Sequence, residues 1–258
     1  MRRVLRPTLL SLGLLAFVPL GHAACESGLA ERIHARLHPD RALDERLAAC
    51  KPWPAFPGRI VIVLPMPRPV SDPSATKVYD LEVLLVQRPD NGNTERDTLV
   101  SRLFQAEAMD EDGVAIQEIK VDTARYVLAS DARAFGLRVR YRGTTHADAF
   151  ASETLRLYVA QGGKLREVLQ EIELDSDSGE WNADCTGRFR QLRTMLSTRP
   201  GRNGAFADLV LSRTRTQSRA QVQDDGSCAE KAQPPQYSTV VLRYDGERFK
   251  VPKSVLAP

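Results

Sequence analysis

The hydrophobic positions of this chain recur mostly at every second residue. Residues 79–85 alternate in this way, and residues 135–141 do so more regularly, with arginines at 138, 140 and 142 on the opposite face. Such alternation is typical of strands that bury one face. The unbroken apolar run IVIVL at 60–64 instead fits a strand that is buried on both faces. The pattern therefore predicts a mainly β protein made of antiparallel sheets.

A seven-residue motif is written twice, as IQEIKVD at 116–122 and as LQEIELD at 169–175. The second copy ends a strand, a glycine turn and a strand over residues 155–175, and the first copy ends a looser version of the same layout. We interpret both copies as the closing strand of a unit that is used about three times, the C-terminal hairpin being the third. This predicts an antiparallel sandwich or a small propeller-like array of about three repeated sheet units.

Two segments are ambiguous between strand and helix. The apolar positions of residues 165–174 fit helical spacing as well as a strand, and the sequence FRQLRTML leaves the same alternative open for residues 188–196. We favour a strand for the first segment because its earlier copy, residues 116–122, alternates more clearly.

The C-terminal sequence VVLRYDGERFKV, residues 240–251, predicts a β-hairpin. Asp245 and Gly246 favour a two-residue turn, because both central residues of such a turn need a positive φ. The register that fits this turn places Leu242 opposite Phe249 on one apolar face.

The N-terminus has the composition of a secretory signal peptide over residues 1–23. Three arginines precede an apolar run at 9–20, and small residues precede the expected cleavage site. The run is shorter than the roughly 20 residues that span a membrane, so we expect an exported, periplasmic protein without a membrane span. Lipid anchoring at Cys25 is disfavoured because His22 stands where such motifs have leucine.

An even number of cysteines in an exported chain favours disulfides over metal binding. The four cysteines are Cys25, Cys50, Cys185 and Cys228. Residues 29–37 and 43–47 have helical spacing, and an antiparallel helical hairpin brings Cys25 close to Cys50. The sequence therefore predicts the disulfide Cys25–Cys50 and, by elimination, the disulfide Cys185–Cys228.

These features divide the chain into four parts. We predict a signal peptide over 1–23, a disulfide-clamped helical hairpin over 24–51, a proline-rich connector with one buried strand over 52–78, and a β-rich domain with internal repeats over 79–258.

The balance of charge changes when the signal peptide is removed. The whole chain has 36 lysines and arginines against 33 acids, a formal charge of +3. Residues 1–23 contain three arginines and no acid, so the rest of the chain has a formal charge of zero. A general affinity for nucleic acid needs a net positive field and is therefore not expected.

Charge is unevenly distributed within the remaining chain. Residues 80–120 contain ten acids and four bases, whereas residues 188–219 contain eight arginines and one acid. Arginine recognises phosphate and carboxylate groups through its bidentate fork. We predict an exposed basic patch that contacts an anionic envelope polymer or an acidic protein, formed by Arg188, Arg190, Arg213 and Arg215. The alternative is that these arginines only solvate the outer face of a strand.

Catalytic and cofactor-binding motifs are missing from the sequence. The chain has no G-x-S-x-G motif, P-loop or dinucleotide-binding glycine pattern. His34 and His38 lie four residues apart, but without the glutamate of a zinc-protease motif they indicate a solvated helix face. The segment that starts with Asp175 and Asp177 begins like a calcium-binding loop, but Gly179 and Glu180 stand where such a loop has Asp or Asn and Gly. We therefore predict no cofactor and no metal, with a calcium site at these aspartates as the alternative.

Several stretches resemble those of a family of exported proteins of Gram-negative bacteria that has no known activity. The stretches are CKPWPAFPG, DTARYVL, RAFGLRVRY, GEWNADC, AFADLVL and LRYDGERF. The resemblance covers most of the chain after the signal peptide. It implies periplasmic residence and a β-rich body, and it brings no cofactor or catalytic residue.

Two classes of function follow from these features. A non-catalytic periplasmic binding or interaction protein is favoured, because arginine-rich strand faces are present while catalytic motifs are missing. The alternative is an envelope enzyme, such as a hydrolase, whose site has no sequence signature. An enzyme should show a deep pocket with converging polar groups, whereas a binding protein can present an open face.

Overall fold

The computed structural model describes Cys25 and residues 28–256, apart from 73, 90–96, 145–147, 183–184 and 202–205. The predicted signal peptide lies outside the described residues. The described chain contains one α-helix, α1 (Leu29–Leu37), and a short 3₁₀ turn at Lys253–Val255. Its strands are β1 (Ala49–Pro52), β2 (Arg59–Pro67), β3 (Val78–Gln87), β4 (Thr98–Asp110), β5 (Val114–Ala129), β6 (Ala132–Gly143), β7 (Asp148–Gln161), β8 (Lys164–Trp181), β9 (Gly187–Arg199), β10 (Asp208–Val222), β11 (Cys228–Ala232) and β12 (Gln236–Leu242).

The first four strands form an antiparallel sheet in the order β1-β2-β3-β4. The apolar run predicted as a buried strand is β2, and it pairs along its length with β3. The connector and the start of the β-rich region therefore share one sheet. Helix α1 buries Leu29 and Ile33 against one face of this sheet, where they contact Ile62, Leu64 and Leu84. The opposite face is also buried, which explains why β2 is apolar on both sides.

The remaining strands form a second antiparallel sheet in the order β11-β10-β9-β8-β7-β6-β5, with β12 also beside β10. Strand β10 pairs with β12 over residues 209–215 and with β11 over residues 218–222. Strand β9 separates from β8 after Leu192, so β9 to β12 extend as an arm. C-terminal residues meet the vacated edge of β8, where the Phe249 amide donates to the Val168 carbonyl at 2.7 Å and Leu256 bridges to Ile172.

The two sheets pack against each other over a shared apolar cluster. Tyr79 of β3, Phe135 of β6 and Tyr158 of β7 belong to it, together with Trp53. The Phe135 ring lies 5.2 Å from Trp53 and 5.5 Å from Tyr158, measured between ring centroids. A second cluster lies within the larger sheet and includes apolar residues of the arm and of the C-terminal segment.

The prediction of a mainly β protein with antiparallel sheets is confirmed, whereas the array of three repeated sheet units is not. Both copies of the repeated heptad are strands, the first in β5 and the second in β8. Strands β7 and β8 form the predicted hairpin around Gly162 and Gly163, which both have a positive φ. Strands β4 and β5 instead belong to different sheets and face each other across the shared core, where Met109 and Ile116 meet.

The segments that were ambiguous between helix and strand are both strands, β8 and β9. The helix-like spacing within residues 165–174 has a structural origin, because β8 carries β-bulges in its pairing with β7. Leu155 faces Ile172, Leu157 faces Leu169 and Tyr158 faces Glu167, so β8 inserts an extra residue at each of these two steps. A third extra residue lies between Glu173 and Asp175. Each insertion shifts the alternation by one position and imitates a helical period.

The predicted N-terminal helical hairpin is not confirmed, although both predicted disulfides are present. Only its first helix is found; turns follow it, and Cys50 lies on β1. The Asp44 carboxylate accepts the Leu47 amide and the Tyr79 hydroxyl, which holds these turns against the sheet. The disulfides Cys25–Cys50 and Cys185–Cys228 have the predicted partners.

The register predicted for the C-terminal hairpin is wrong. Tyr244 pairs with Phe249, so the loop between them has four residues instead of two. The Asp245 carboxylate causes the wider loop, because it accepts the backbone amides of Glu247 and Arg248, both at 2.9 Å. Leu242 and Phe249 are nevertheless buried in one cluster.

Candidate functional site

Three cations lie side by side in one row of the arm. Arg188 of β9 is directly opposite Arg219 of β10, and Arg219 is directly opposite Lys231 of β11. All three side chains are exposed. Directly opposite residues point to the same face of a sheet, with Cβ atoms about 5 Å apart. Glu180 of β8 continues the row on the other side of Arg188 and is its one acidic member.

Two further arginines lie on the same face. Arg190 follows Arg188 two residues along β9, and Arg215 lies opposite Leu192 on β10. Side chains two residues apart in a strand share a face. Within the described residues, none of the four exposed arginines forms an ion pair or a side-chain hydrogen bond, and neither does Lys231. We name this surface the arginine face, and it comprises Arg188, Arg190, Arg215, Arg219 and Lys231.

Arg213, the fourth arginine predicted for the basic patch, is not exposed. Its strand position is on the same side as Arg215, but the side chain is buried with 6% exposure. The guanidinium donates to the Ser254 carbonyl at 2.9 Å and lies 3.6 Å from the Glu173 carboxylate. Burial lowers the pKa of Arg213. The prediction is wrong for this residue because the C-terminal segment, distant in sequence, covers it.

A disulfide joins the two ends of the arginine face. Cys185 stands three residues before Arg188, and Cys228 stands three residues before Lys231. Cys228 also pairs with Val222 at the end of β10. The bond therefore holds β9 and β11 at fixed positions on either side of β10, so the row of cations is built on a rigid element.

A second candidate site is a charged cleft of about 920 Å³ near the place where β1 approaches β5. Residues 45–51 line one side, and strands from β5 to β9 line the rest. Its charged lining residues are the bases Arg46, Lys51, Lys120, Arg140, Arg142 and Arg193 and the acids Glu45, Glu118, Glu153, Asp175 and Asp177. No sequence pattern predicted this cleft, although two of the alternating arginines of β6, Arg140 and Arg142, line it.

Ion pairs satisfy much of the charge in the cleft. Arg140 Nε lies 3.0 Å from Glu153, which also accepts from Arg138. Burial alone would raise the pKa of Glu153, but the hydrogen bonds from these arginines lower it overall. Arg193 donates to both oxygens of Asp177, at 2.8 and 2.9 Å. The cleft is therefore a groove with compensated charge and no strong net field.

The aspartates considered as a calcium site lie in β8 rather than in a loop. Asp177 is paired with Arg193, and Asp175 accepts the backbone amide of Thr194 at 3.1 Å. Among the residues that the structure describes, no group of three or more possible ligands could hold a metal ion.

The two histidines of α1 and its C-terminus are not on a solvated face, contrary to the expectation. His34 is buried, and burial lowers its pKa. His38 Nε2 lies 2.9 Å from the Glu82 carboxylate, which Arg102 also holds with two hydrogen bonds of 2.8 Å. Glu82 is fully buried on β3, so this cluster neutralises an acid under the helix.

A third group of charges is buried between the two sheets. Arg156 pairs with Glu171 and donates to the Ala108 carbonyl. Glu171 also accepts the hydroxyls of Tyr141, at 2.9 Å, and Thr154. Glu167 lies 4.0 Å from Arg156, and burial, followed by the neighbouring Glu171, raises the pKa of Glu167. We name Arg156, Glu171 and Glu167 with their hydrogen-bond partners the inter-sheet network.

The chain matches no family model, no curated protein and no solved structure at a significant level. Within the described residues, no helix is both long and apolar enough to cross a membrane.

Proposed function

We propose that this chain is a non-catalytic periplasmic binding protein that holds an anionic envelope polymer on its arginine face. The observation that supports the proposal most directly is the row formed by Arg188, Arg219 and Lys231. Like charges directly opposite one another destabilise a sheet. The fold gains nothing from placing three cations in one row, whereas a bound anion would relieve their repulsion.

The shape of the arginine face favours an extended ligand. The cations follow two directions, across three strands through Arg219 and along β9 through Arg190. Neighbouring strands lie about 4.8 Å apart, and alternate residues of a strand lie about 7 Å apart. A polymer with regularly repeated phosphate or carboxylate groups can meet several of these positions at once. Guanidinium groups suit it because they donate two parallel hydrogen bonds to such groups.

The proposal places the protein in the periplasm. The two disulfides fit an oxidising compartment, and residues 1–23 have the composition of a signal peptide. The resemblance to exported proteins of Gram-negative bacteria agrees with this location. In that compartment the anionic polymers of the cell envelope are the abundant ligands of matching charge, and an acidic protein is the other class that the test below can reveal.

The hydrolase alternative has less support in the described structure. Of the acids that line the cleft, Glu153 has a lowered pKa and is suited to remain ionised, and Asp177 accepts two hydrogen bonds from Arg193. The carboxyl group with a raised pKa, Glu167, is not among the residues that line the cleft. A general acid for hydrolysis would need both a raised pKa and a position in the lining of the cleft, and no single one of these acids combines them.

Ion-exchange retention tests the proposal. The chain without residues 1–23 is applied to phosphocellulose at low salt and eluted with a salt gradient. The variant Arg188→Ala with Arg219→Ala should elute at clearly lower salt, because exposed charges are screened over about 10 Å at 0.1 M salt and the lost contacts are local. The matched control is Arg125→Ala with Arg243→Ala, which removes two exposed arginines elsewhere.

Equal elution of the two double variants would contradict the proposal, because net charge alone would then explain retention. Competition separates the classes of ligand. Displacement of the bound protein by polyphosphate but not by poly-aspartate supports a phosphate polymer. Stronger displacement by poly-aspartate would instead indicate an acidic polypeptide and would overturn the polymer assignment.

A further inference from the structure

The side of the arm opposite the arginine face exposes large aromatic and thioether side chains. Trp181 is 62% exposed, Tyr237 is 77% exposed and Met195 is 74% exposed. The Trp181 ring also contacts the edge of the Phe189 ring, with 5.9 Å between centroids. Side chains of this size and type are enriched at binding surfaces, because they offer much contact area with little loss of conformational entropy.

Pairing places these residues on one side of the sheet. Trp181 lies opposite Gly187, which shares a face with Phe189, and Tyr237 lies opposite Thr214. Gly187 also explains how the two rings meet, because a Cβ atom at this position would lie 3.1 Å from the Trp181 Cβ and 3.4 Å from the Phe189 ring. The absence of a side chain at residue 187 thus leaves room for the edge-to-face contact between the two rings.

Hydrogen-bonding groups fill the space between the aromatic positions. Gln191 lies opposite Thr216, and their side chains are 3.4 Å apart. Thr214 and Ser218 occupy the neighbouring rows of β10 on the same side, where Thr214 is opposite the ion-paired Arg193 and the Ser218 hydroxyl donates to Glu230. We name this surface the aromatic face, and it comprises Trp181, Phe189, Gln191, Met195, Thr214, Thr216, Ser218 and Tyr237.

The aromatic face continues into the charged cleft. Ala151 of β7 lies opposite Asp177 of β8, Asp177 lies opposite Gln191 of β9, and Gln191 lies opposite Thr216 of β10. Ala151 and Asp177 line the cleft, so this row runs from the cleft floor onto the aromatic face. Arg193, whose charge Asp177 compensates, belongs to both surfaces, because it lines the cleft and lies opposite Thr214.

We propose that the aromatic face and the adjoining cleft bind a glycan chain. A sugar ring presents apolar C–H groups on its face and hydroxyl groups around its rim. Trp181 with Phe189 at one end and Tyr237 at the other offer flat surfaces for the ring faces. The hydroxyl and amide groups between them, on Gln191 and Thr216, both donate and accept hydrogen bonds, as sugar hydroxyls do.

The polar centre of this surface distinguishes a glycan from a protein partner. The core of a protein interface is apolar, and burying the Arg193–Asp177 pair and the Thr214 hydroxyl under it would remove their water without supplying hydrogen bonds in its place. A glycan replaces the water on these groups with hydrogen bonds of its own. The distance also fits a chain, because Phe189 and Tyr237 are two strand spacings and four residues apart, roughly 16 Å in a flat sheet.

Co-sedimentation with insoluble glycans tests the inference. The chain without residues 1–23 is mixed with chitin and, separately, with purified peptidoglycan sacculi, and the pelleted fraction is measured. Trp181→Ala with Tyr237→Ala should weaken binding about tenfold or more, since aromatic contacts dominate such surfaces. The matched control is Phe104→Ala, which removes an aromatic ring that is 40% exposed on β4.

Tryptophan fluorescence provides a second readout. Trp53 is 1% exposed and Trp181 is 62% exposed, so soluble chito-oligosaccharides should change the emission of Trp181 selectively. The change should be absent from Trp181→Phe. Sedimentation velocity shows whether the variants remain folded and whether the parent chain self-associates.

Three results would overturn the inference. The first is that the folded parent chain pellets with neither glycan. The second is that the double variant and the Phe104→Ala control bind equally well. The third is a dimer that dissociates when Trp181 and Tyr237 are replaced, since the face would then bind a second copy. The variant Arg188→Ala with Arg219→Ala must keep its glycan binding, which separates this inference from the proposed anion site.

Discussion

The inter-sheet network buries its arginine in ion pairs, whereas the arginine face exposes its arginines without ion pairs within the described residues. Arg156 is 6% exposed, and it donates hydrogen bonds to the Glu171 carboxylate and to the Ala108 carbonyl. Arg188 and Arg219 lie opposite each other on an exposed face and, within the described residues, form no ion pair, although Glu180 is the neighbour of Arg188 on β8. Arginines of the first kind belong to the fold, whereas those of the second kind are available to a ligand. Stability and binding should therefore respond to different substitutions.

The largest effect is expected from Arg156→Met. The substitution would leave Glu171 and Glu167 buried without their cation, and breaking a buried pair in this way costs about 3–5 kcal/mol of unfolding free energy. Urea unfolding followed by circular dichroism measures the change. Arg219→Met, on the arginine face, is the control and should alter stability by at most about 0.5 kcal/mol. Equal losses in the two variants would remove the distinction between the two regions.

The second effect concerns the bond that holds the arginine face. Cys185→Ser with Cys228→Ser opens a loop with a sequence separation of 43 residues. The expected loss is about 2–4 kcal/mol of unfolding free energy. The same variant should elute from phosphocellulose at lower salt while its arginines remain, because the row is no longer held in place. Cys25→Ser with Cys50→Ser is the control, and it should lower stability without changing elution.

The third effect is a pH dependence of opposite sign at two glutamates. The pKa of Glu153 is lowered below its usual value of 4.5, so its contribution to stability is present above pH 4.5 and is lost as the pH falls through the lowered pKa. Glu153→Gln should therefore destabilise the chain at pH 7, and the difference from the parent chain should vanish in acid.

Glu167 should behave in the opposite way. Its pKa is raised, so the folded state loses stability as the pH rises from 4.5 through the raised pKa. Glu167→Gln removes this penalty, and it should be more stable than the parent chain at pH 7 and equal to it near pH 4. Thermal unfolding of both variants across this range checks the signs. A Glu167→Gln variant that is less stable at pH 7 would show that the carboxylate is needed in its ionised form.

The smallest effect is expected on the arginine face itself. Arg188→Ala with Arg219→Ala removes a pair of like charges that lie directly opposite each other. Stability should stay the same or rise by a few tenths of a kcal/mol at low salt. The gain should disappear at 1 M salt, where charges are screened over about 3 Å. A clear loss of stability at low salt would mean that these arginines serve the fold after all.

Local sequence patterns were sufficient to predict several of the strands, whereas the correct pairing of Cys25 with Cys50 was derived from a helical hairpin that the structure does not contain. The alternation at 135–141 identified β6, and the glycine pair of β7 and β8 identified their hairpin. Exposure of Arg188, Arg190 and Arg215 also followed from the excess of arginine. Strands, hairpins and the exposed face of a strand depend on residues that are near one another in the chain, so an alternating pattern in the sequence is enough to predict them.

Contacts between distant segments were beyond the reach of such patterns. Arg213 is buried because Ser254 lies against it, 41 residues later. The repeated heptad fills β5 and β8 but gave no sign that β4 and β5 belong to different sheets, since that depends on how Met109 and Ile116 meet in the core. The aromatic face was missed because Trp181, Phe189 and Tyr237 come together only through the pairing of strands from β8 to β12.

The C-terminal segment determines when the fold can be completed during synthesis. The first half of β8 has no strand on its outer edge until Phe249 reaches Val168 and Leu256 reaches Ile172. A growing chain therefore carries an exposed strand edge for about 80 residues of further elongation, and such edges template aggregation. We expect truncation before Phe249 to give a chain that depends on a chaperone to stay dispersed. The segment from Phe249 to Leu256 thus covers this edge only after it has itself been synthesised.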